Sequence, residues 1–322
     1  MGFVNGEVVN SERSIIFEWG NMWMNETDVL SIRNENEVRY LTFALYNARG
    51  LRWAAEFLSA VRRKCSAKIG VERINRNCNG IEKEIEFYAS LQYECRLIPT
   101  LDAGCHFDFV GILNDRIMGV DATKSLSSKI DADKTPVVYG ELEWPICVAH
   151  VKEKYVDFHS VDGSGISKDV FRCENMTGAD GKIRDAAHRL KLQGYDLHKG
   201  LSVFRGRQHW LRLAYSQNDL EKLRHELVCA AGIGYSEKEL LLAHMAFFNQ
   251  YRFAYNLVPA LSYGDGIDFV GEYAGKMICF GIMIKGVGSV EDFKTLSTAE
   301  RFRIVIYDAI NRTFEFKPIP DI

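Results

Sequence analysis

Two aspartates stand where the surrounding sequence gives them no ordinary employment. Asp108 interrupts the apolar run from Phe107 to Leu113, and Asp121 interrupts the run from Ile117 to Thr123. Between them, Asn114-Asp115 is a turn signal. The stretch therefore reads as two strands of a hairpin with one acid in each. A carboxylate among buried apolar side chains is costly unless it is paired or holds a cation. Two carboxylates on neighbouring strands, with Thr123 and Lys124 beside the second, could hold a divalent metal and activate a water. Glu84 lies upstream on a helical pattern over 81–94, in which Ile81, Ile85, Tyr88 and Leu91 share a face. Phe87, Tyr88 and Leu91 follow Glu84 at spacings that place it on the border of that face.

The elements that would position these residues recur. Residues 257–273 align with 97–113 at an offset of 160, and eight of the 17 positions are identical, including Asp108-Phe109-Val110-Gly111 against Asp268-Phe269-Val270-Gly271. A period near half the chain length points to duplication of a whole domain. The repeat is unequal in its acids. His244 falls opposite Glu84, and FGIMIKG opposite Asp121 contains no acid, with Lys285 as the stand-in for Lys124. The second copy is expected to hold a metal poorly, and Asp268 to serve locally, at the Gly264–Gly266 loop or where the halves meet.

The acid on one hairpin strand, followed by an acid near a lysine on the next, resembles the PD-(D/E)XK nuclease superfamily over about residues 79–126. The resemblance implies an α/β fold, here two tandem restriction-endonuclease-like mixed sheets flanked by helices. It also implies metal-dependent phosphodiester hydrolysis. Asp108 and Asp121 would hold Mg²⁺ or Mn²⁺ with Glu84 and the Ala122 carbonyl, and Lys124 would orient or activate the water. The sequence departs from the pattern because Thr123 occupies the position two after Asp121 and Lys124 comes one place late. On a regular strand Thr123 shares the face of Asp121 and Lys124 does not. Either a bulge re-aims Lys124, or Thr123 takes the lysine's place. A catalytically inactive, nucleic-acid-binding or regulatory relative is the alternative, and a structural or interaction protein sharing only the hairpin plan is the third.

Composition sets outer bounds. The 322-residue chain is long enough for two domains, and its 47% hydrophobic and 26% charged content is that of a globular protein. No apolar run spans a membrane and no signal peptide is evident, so the expectation is a cytoplasmic protein. Its eight cysteines contain no CxxC, which argues against a zinc site and for reduced thiols. The formal net charge of -3 does not announce a nucleic-acid binder. Cations nevertheless cluster: Arg62, Arg63, Lys64, Lys68, Arg73 and Arg76 stand against Glu72 alone, and 182–212 carries eight, Arg205 and Arg207 among them. These are the candidate phosphate-tracking residues. The expected partner is nucleic acid, with DNA foremost, for a monomer with an internal pseudo-two-fold or a homodimer.

The expected organisation is an extension over 1–37, a nuclease-like domain over 38–161, a linker over 162–204 and a degenerate copy over 205–322. Within it, 38–46 and 209–215 read as matching strands, 62–76 as a cationic loop, and the glycines of 162–181 as the linker proper. Strand pairs are expected at 146–151 with 155–161 and at 303–309 with 313–319. A short helix is expected near 290–300.

Overall fold

A computed structural model describes residues 2–4, 7–9, 17–19, 22–24, 32–69, 71–101, 107–123, 126, 137–139, 142–152, 155–162, 165–174, 197–216, 220–229, 234–262, 266–287 and 302–318. Lys124 and the expected helix near 290–300 lie outside them. The chain forms two compact units, Met1–Ser90 with Met176–Leu201, and Leu91–Asn175 with Ser202–Ile322.

Among its described residues, the first unit is helical apart from two short hairpins, β1 (Gly2–Val4) with β2 (Glu7–Val9) and β3 (Phe17–Trp19) with β4 (Met22–Met24). Helix α1 (Glu35–Arg49) includes the 38–46 run expected as a strand. Its start is fixed by Asn34, whose side chain accepts from Glu37 N–H at 3.1 Å, while Glu37 accepts from Arg33 N–H at 2.9 Å. This reciprocal cap is close to a capping box. Residues 37–48 are all buried, and an all-round apolar run in that setting suits a buried helix as well as a strand. Helices α2 (Leu51–Ile69) and α3 (Val71–Leu91) replace the expected cationic loop, and Gly80 lies inside α3 without breaking it. Phe43 and Tyr46 meet Tyr88 edge-on, with ring centroids 5.4 and 5.7 Å apart.

The second unit contains two mixed sheets. In the first, β5 (Ile98–Pro99), β6 (Phe109–Leu113) and β7 (Arg116–Thr123) form an antiparallel meander. β7 pairs parallel with β10 (Ile146–Val151), which then pairs antiparallel with β11 (Tyr155–Asp162). A separate hairpin, β8 (Val137–Tyr139) with β9 (Leu142–Trp144), lies in the crossover. Where the glycines of 162–181 suggest a linker, β12 (Gly165–Glu174) instead adds an edge strand against β11. The second sheet repeats the order: β13 (Val258–Pro259), β14 (Phe269–Tyr273), β15 (Lys276–Ile284), a parallel step to β16 (Phe302–Asp308), and β17 (Thr313–Pro318). Helices α4 (Leu197–Ser216), α5 (Leu220–Cys229) and α6 (Tyr235–Tyr251) accompany it. The expected strand at 209–215 is the end of α4.

The 160-residue offset is visible bond by bond. Ile112 N–H donates to Cys95 O at 2.7 Å, and Glu272 N–H to Tyr255 O at 2.6 Å. Those close approaches explain the repeated glycine of DFVG. A Cβ on Gly111 would stand 2.9 Å from Cys95 O, and one on Gly271 2.6 Å from Tyr255 O. Between the sheets, Leu101 N–H donates to Pro259 O and Leu261 N–H to Pro99 O, at 2.8 and 2.7 Å. Thr100 and Ala260 bridge at the centre of this reciprocal pair. The two sheets, expected in separate domains, share one apolar core that includes Val110, Val148, Val270 and Ile304.

Candidate functional site

The repeated aspartates occupy matching positions. Asp108 N–H donates to Val120 O at 2.9 Å, while Phe109 already faces Val120 in the ladder. Two residues opposite one is the signature of a β-bulge. The bulge turns the Asp108 carboxylate towards β7, where Oδ2 accepts from Ala122 N–H at 2.9 Å. It thus lies against the peptide that links Asp121 to Ala122. In the second sheet, Asp268 N–H donates to Phe280 O at 2.8 Å, and Asp268 Oδ2 accepts from Ile282 N–H at 2.7 Å. Each aspartate therefore satisfies a strand N–H that the bulge would otherwise leave without an acceptor.

Around this shared frame the two halves diverge. Asp268 is 7% exposed and surrounded by donors. Ser262 Oγ donates to Oδ1 at 2.9 Å, and His244 Nε2 lies 3.2 Å from the same oxygen. Arg207, itself 2% exposed, donates to the carbonyls of Ala260 (2.9 Å) and Asp268, and places its guanidinium 5.1 Å from the Phe269 ring centroid. Burial alone would raise the Asp268 pKa. The charge and hydrogen bond of His244, the Arg207 guanidinium and the Ile282 N–H outweigh it and hold the acid at about 2. Burial pushes His244 down against the pull of Asp268. Arg207 is thus part of a buried network and not of a phosphate-tracking surface. Asp268 is held by Ser262, His244, Arg207 and Ile282; Gly264 lies outside the described residues.

In the first half, Asp121 is 3% exposed on β7. The parallel ladder runs without a shift from Gly119 opposite Ile146 to Thr123 opposite His150. Thr123 therefore stands two places after Asp121 on the same sheet face. The corresponding second-half residues, by the matching ladder, are Gly281 and Met283. The same face of the first sheet continues across β10 and β11. Val148 faces His159 and His150 faces Asp157. Arg172 on β12 faces Asp157 and binds it at 2.6 and 3.3 Å; Lys152 binds it at 2.8 Å. Burial would raise Asp157, but the hydrogen bonds and charges of Arg172 and Lys152 leave its pKa lowered. One face is therefore apolar at Ile146 and Val161 and polar at Asp121, Thr123, His150, Asp157 and His159. Neither histidine nor Asp157 was among the residues expected from sequence; alternating polar positions in 146–161 were the available signal.

The remaining expected residues are distributed as follows. Glu84, on α3, forms a 2.5 Å ion pair with Arg39 of α1, and Glu82 pairs with Arg62 at 2.7 Å. Lys285 follows the end of β15 and donates to Asp308 at 2.7 Å. Arg63, Arg73 and Arg76 are exposed on α2 and α3, while Arg62 and Arg205 are half-buried. The backbones of Lys64 and Lys68 lie in α2. Among the described residues, no three His, Cys, Asp or Glu side chains are grouped to hold a metal ion. No described helix is long and apolar enough to cross a membrane.

No protein-family profile, curated protein or solved structure matches this chain.

Proposed function

We propose that the first sheet carries the cutting centre of a metal-dependent endonuclease of the PD-(D/E)XK type, restriction-like, homing or from a mobile element, acting on DNA. The observation that carries this reading is Asp121. Asp108 has a fold-level reason in both halves, whereas Asp121 is a buried carboxylate where the second half has Gly281. The carboxylate of Asp108 lies against the adjoining peptide. An oxygen-only donor pair suits Mg²⁺, which keeps several waters and takes one or two protein carboxylates together with substrate phosphate oxygens. Asp108 and Asp121 would hold it, while Glu84 is engaged by Arg39. Such an ion supplies charge stabilisation to the transition state and acidifies a bound water. Arg63, Arg73 and Arg76, with Lys64 and Lys68, would follow the phosphate backbone.

A second reading is a catalytically inactive, nuclease-like nucleic-acid-binding protein. It is favoured by the engagement of Glu84 with Arg39 and by Thr123 at the usual lysine position. Incubation of the full chain with supercoiled plasmid in Mg²⁺ or Mn²⁺, with EDTA as control, separates the two. One centre per chain nicks first, so open-circle product accumulates before linear. Asp108→Ala abolishes that cleavage on the endonuclease reading. Metal-independent binding without any cleavage selects the second reading, and neither binding nor cleavage rejects both.

A further inference from the structure

We propose that His150 is the general base of the first-half centre, filling the role vacated by the displaced lysine; this rests on the endonuclease reading above. The ladder puts His150 on β10 directly opposite Thr123 on β7, two places along from Asp121 opposite Val148. Directly paired residues share a sheet face, with Cβ atoms about 5 Å apart. The imidazole thus stands over the position where the family pattern has its lysine ammonium. The residue as a whole is half-buried and its Nδ1 is out of solvent, which leaves Nε2 as the nitrogen to take the proton. An imidazole accepts a proton near neutrality, whereas a lysine must first be strongly depressed to do so.

The surroundings suit that role. Asp157 faces His150 from β11 and carries a buried negative charge, anchored by Arg172 and Lys152. Among the described residues, this face also carries the titratable groups Asp121 on β7, and His159, next to Val148, and Tyr155 on β11. From the second sheet the shared core receives apolar residues, among them Met277, Ile304 and Ile306. The matching ladder position in the second half is Ile306, opposite Met283. The half without the second acid also lacks the base.

In the step, a water oxygen attacks phosphorus while the bond from phosphorus to the leaving nucleoside oxygen breaks. The water's proton passes to His150. The leaving alkoxide takes a proton from a solvent water, and the hydroxide so formed returns the imidazole to its neutral state.

The test uses the full chain on supercoiled plasmid in Mg²⁺ or Mn²⁺. His150→Gln is expected to lower kcat by about 100-fold or more, to leave KM within about threefold, and to remove the acid limb of the pH–rate profile. His150→Gly should be partly rescued by added imidazole, which a purely structural role would not allow. His150→Leu imitates the second half's apolar residue and serves if the amide is not tolerated, judged by circular dichroism. His209→Gln, exposed on α4, should cleave as the parent does. If Asp108→Ala is inactive and His150→Gln cleaves at the parental rate, the base assignment is wrong and the endonuclease reading stands. If the parent does not cleave, or Asp108→Ala cleaves undiminished, the endonuclease reading falls and the base goes with it.

Discussion

The two sheets use one backbone plan with opposite chemistry on it. Both place an aspartate at a bulge, where it accepts a strand N–H fourteen residues on. Both follow it with an aromatic, a valine for the shared core and a glycine under a carbonyl. The DFVG repetition is therefore explained by the fold and carries no information about catalysis. Information lies where the halves differ. The first has Asp121, Thr123 and His150 where the second has Gly281, Met283 and Ile306. Conversely, the second surrounds its aspartate with Arg207, His244 and Ser262, a set of protein-borne donors that leaves a cation nothing to neutralise.

The largest effect should come from making the halves alike in acids. Asp121→Asn keeps the shape of the side chain but removes its charge, and should reduce the proposed metal-dependent plasmid cleavage by about 100-fold or more. Gly281→Asp adds the acid to the second half and should not create a second centre, because Arg207 and His244 remain. Direct conversion of plasmid to linear product by Gly281→Asp would show that the missing acid was the whole of the asymmetry.

The next effect is on stability. Arg207→Met removes a buried guanidinium that serves two backbone carbonyls and balances Asp268. Breaking a buried charge arrangement on one side costs about 3–5 kcal/mol, readable as a fall in the urea midpoint. Asn47, a buried polar residue of α1, donates to Phe43 O within its own helix. Asn47→Ala should therefore cost less, about 1 kcal/mol. Equal losses would mean that the guanidinium is not the keystone of the second half.

How far this asymmetry could be read from sequence depends on the element. The two hairpins, their turns and the later strand pairs were legible because apolar runs were bounded by turn residues. The unequal acids were legible because the repeat could be aligned. The helix at Glu35–Arg49 was not, although Asn34 and Glu37 announced its start. Tyr40, Phe43 and Tyr46 are buried on every side, so the helical period vanished and the aromatic content suggested a strand. β12 was hidden because an edge strand tolerates glycine and polar residues. His150 and Asp157 could not be assigned because parallel register across a crossover is not encoded locally.

A pH titration sharpens the comparison further. Asp268 has its acid held at about 2 in the folded chain, below the usual unfolded value of 3.8. A depressed folded value means that its stabilisation is complete above about pH 4. It is lost as pH falls from there towards 2, because the unfolded chain binds its proton first. The difference corresponds to about 2 kcal/mol. Urea midpoints between pH 5 and 2 should fall for the parent and fall less steeply for Asp268→Asn. Parallel slopes would show that the buried network does not hold the ionised acid.

The smallest expected effect lies at the two hairpin tips. Asn114-Asp115 and Ala274-Gly275 occupy the same turn, with φ of 50° and 60° in the first and 52° and 72° in the second. Left-handed backbone costs an ordinary L-residue about 1 kcal/mol or more, while asparagine and glycine enter it readily. At the leading position the first tip has an asparagine and the second an alanine, so Ala274 carries strain there that Asn114 avoids. Ala274→Asn should stabilise the chain by about 0.5–1 kcal/mol, and Asn114→Ala should destabilise it by a similar amount. Both substitutions lie at turns, so the cleavage proposed for the first half should be unchanged while the thermal midpoints move in opposite directions. Midpoints moving the same way would mean that the two tips, alike in backbone angle, are not alike in strain.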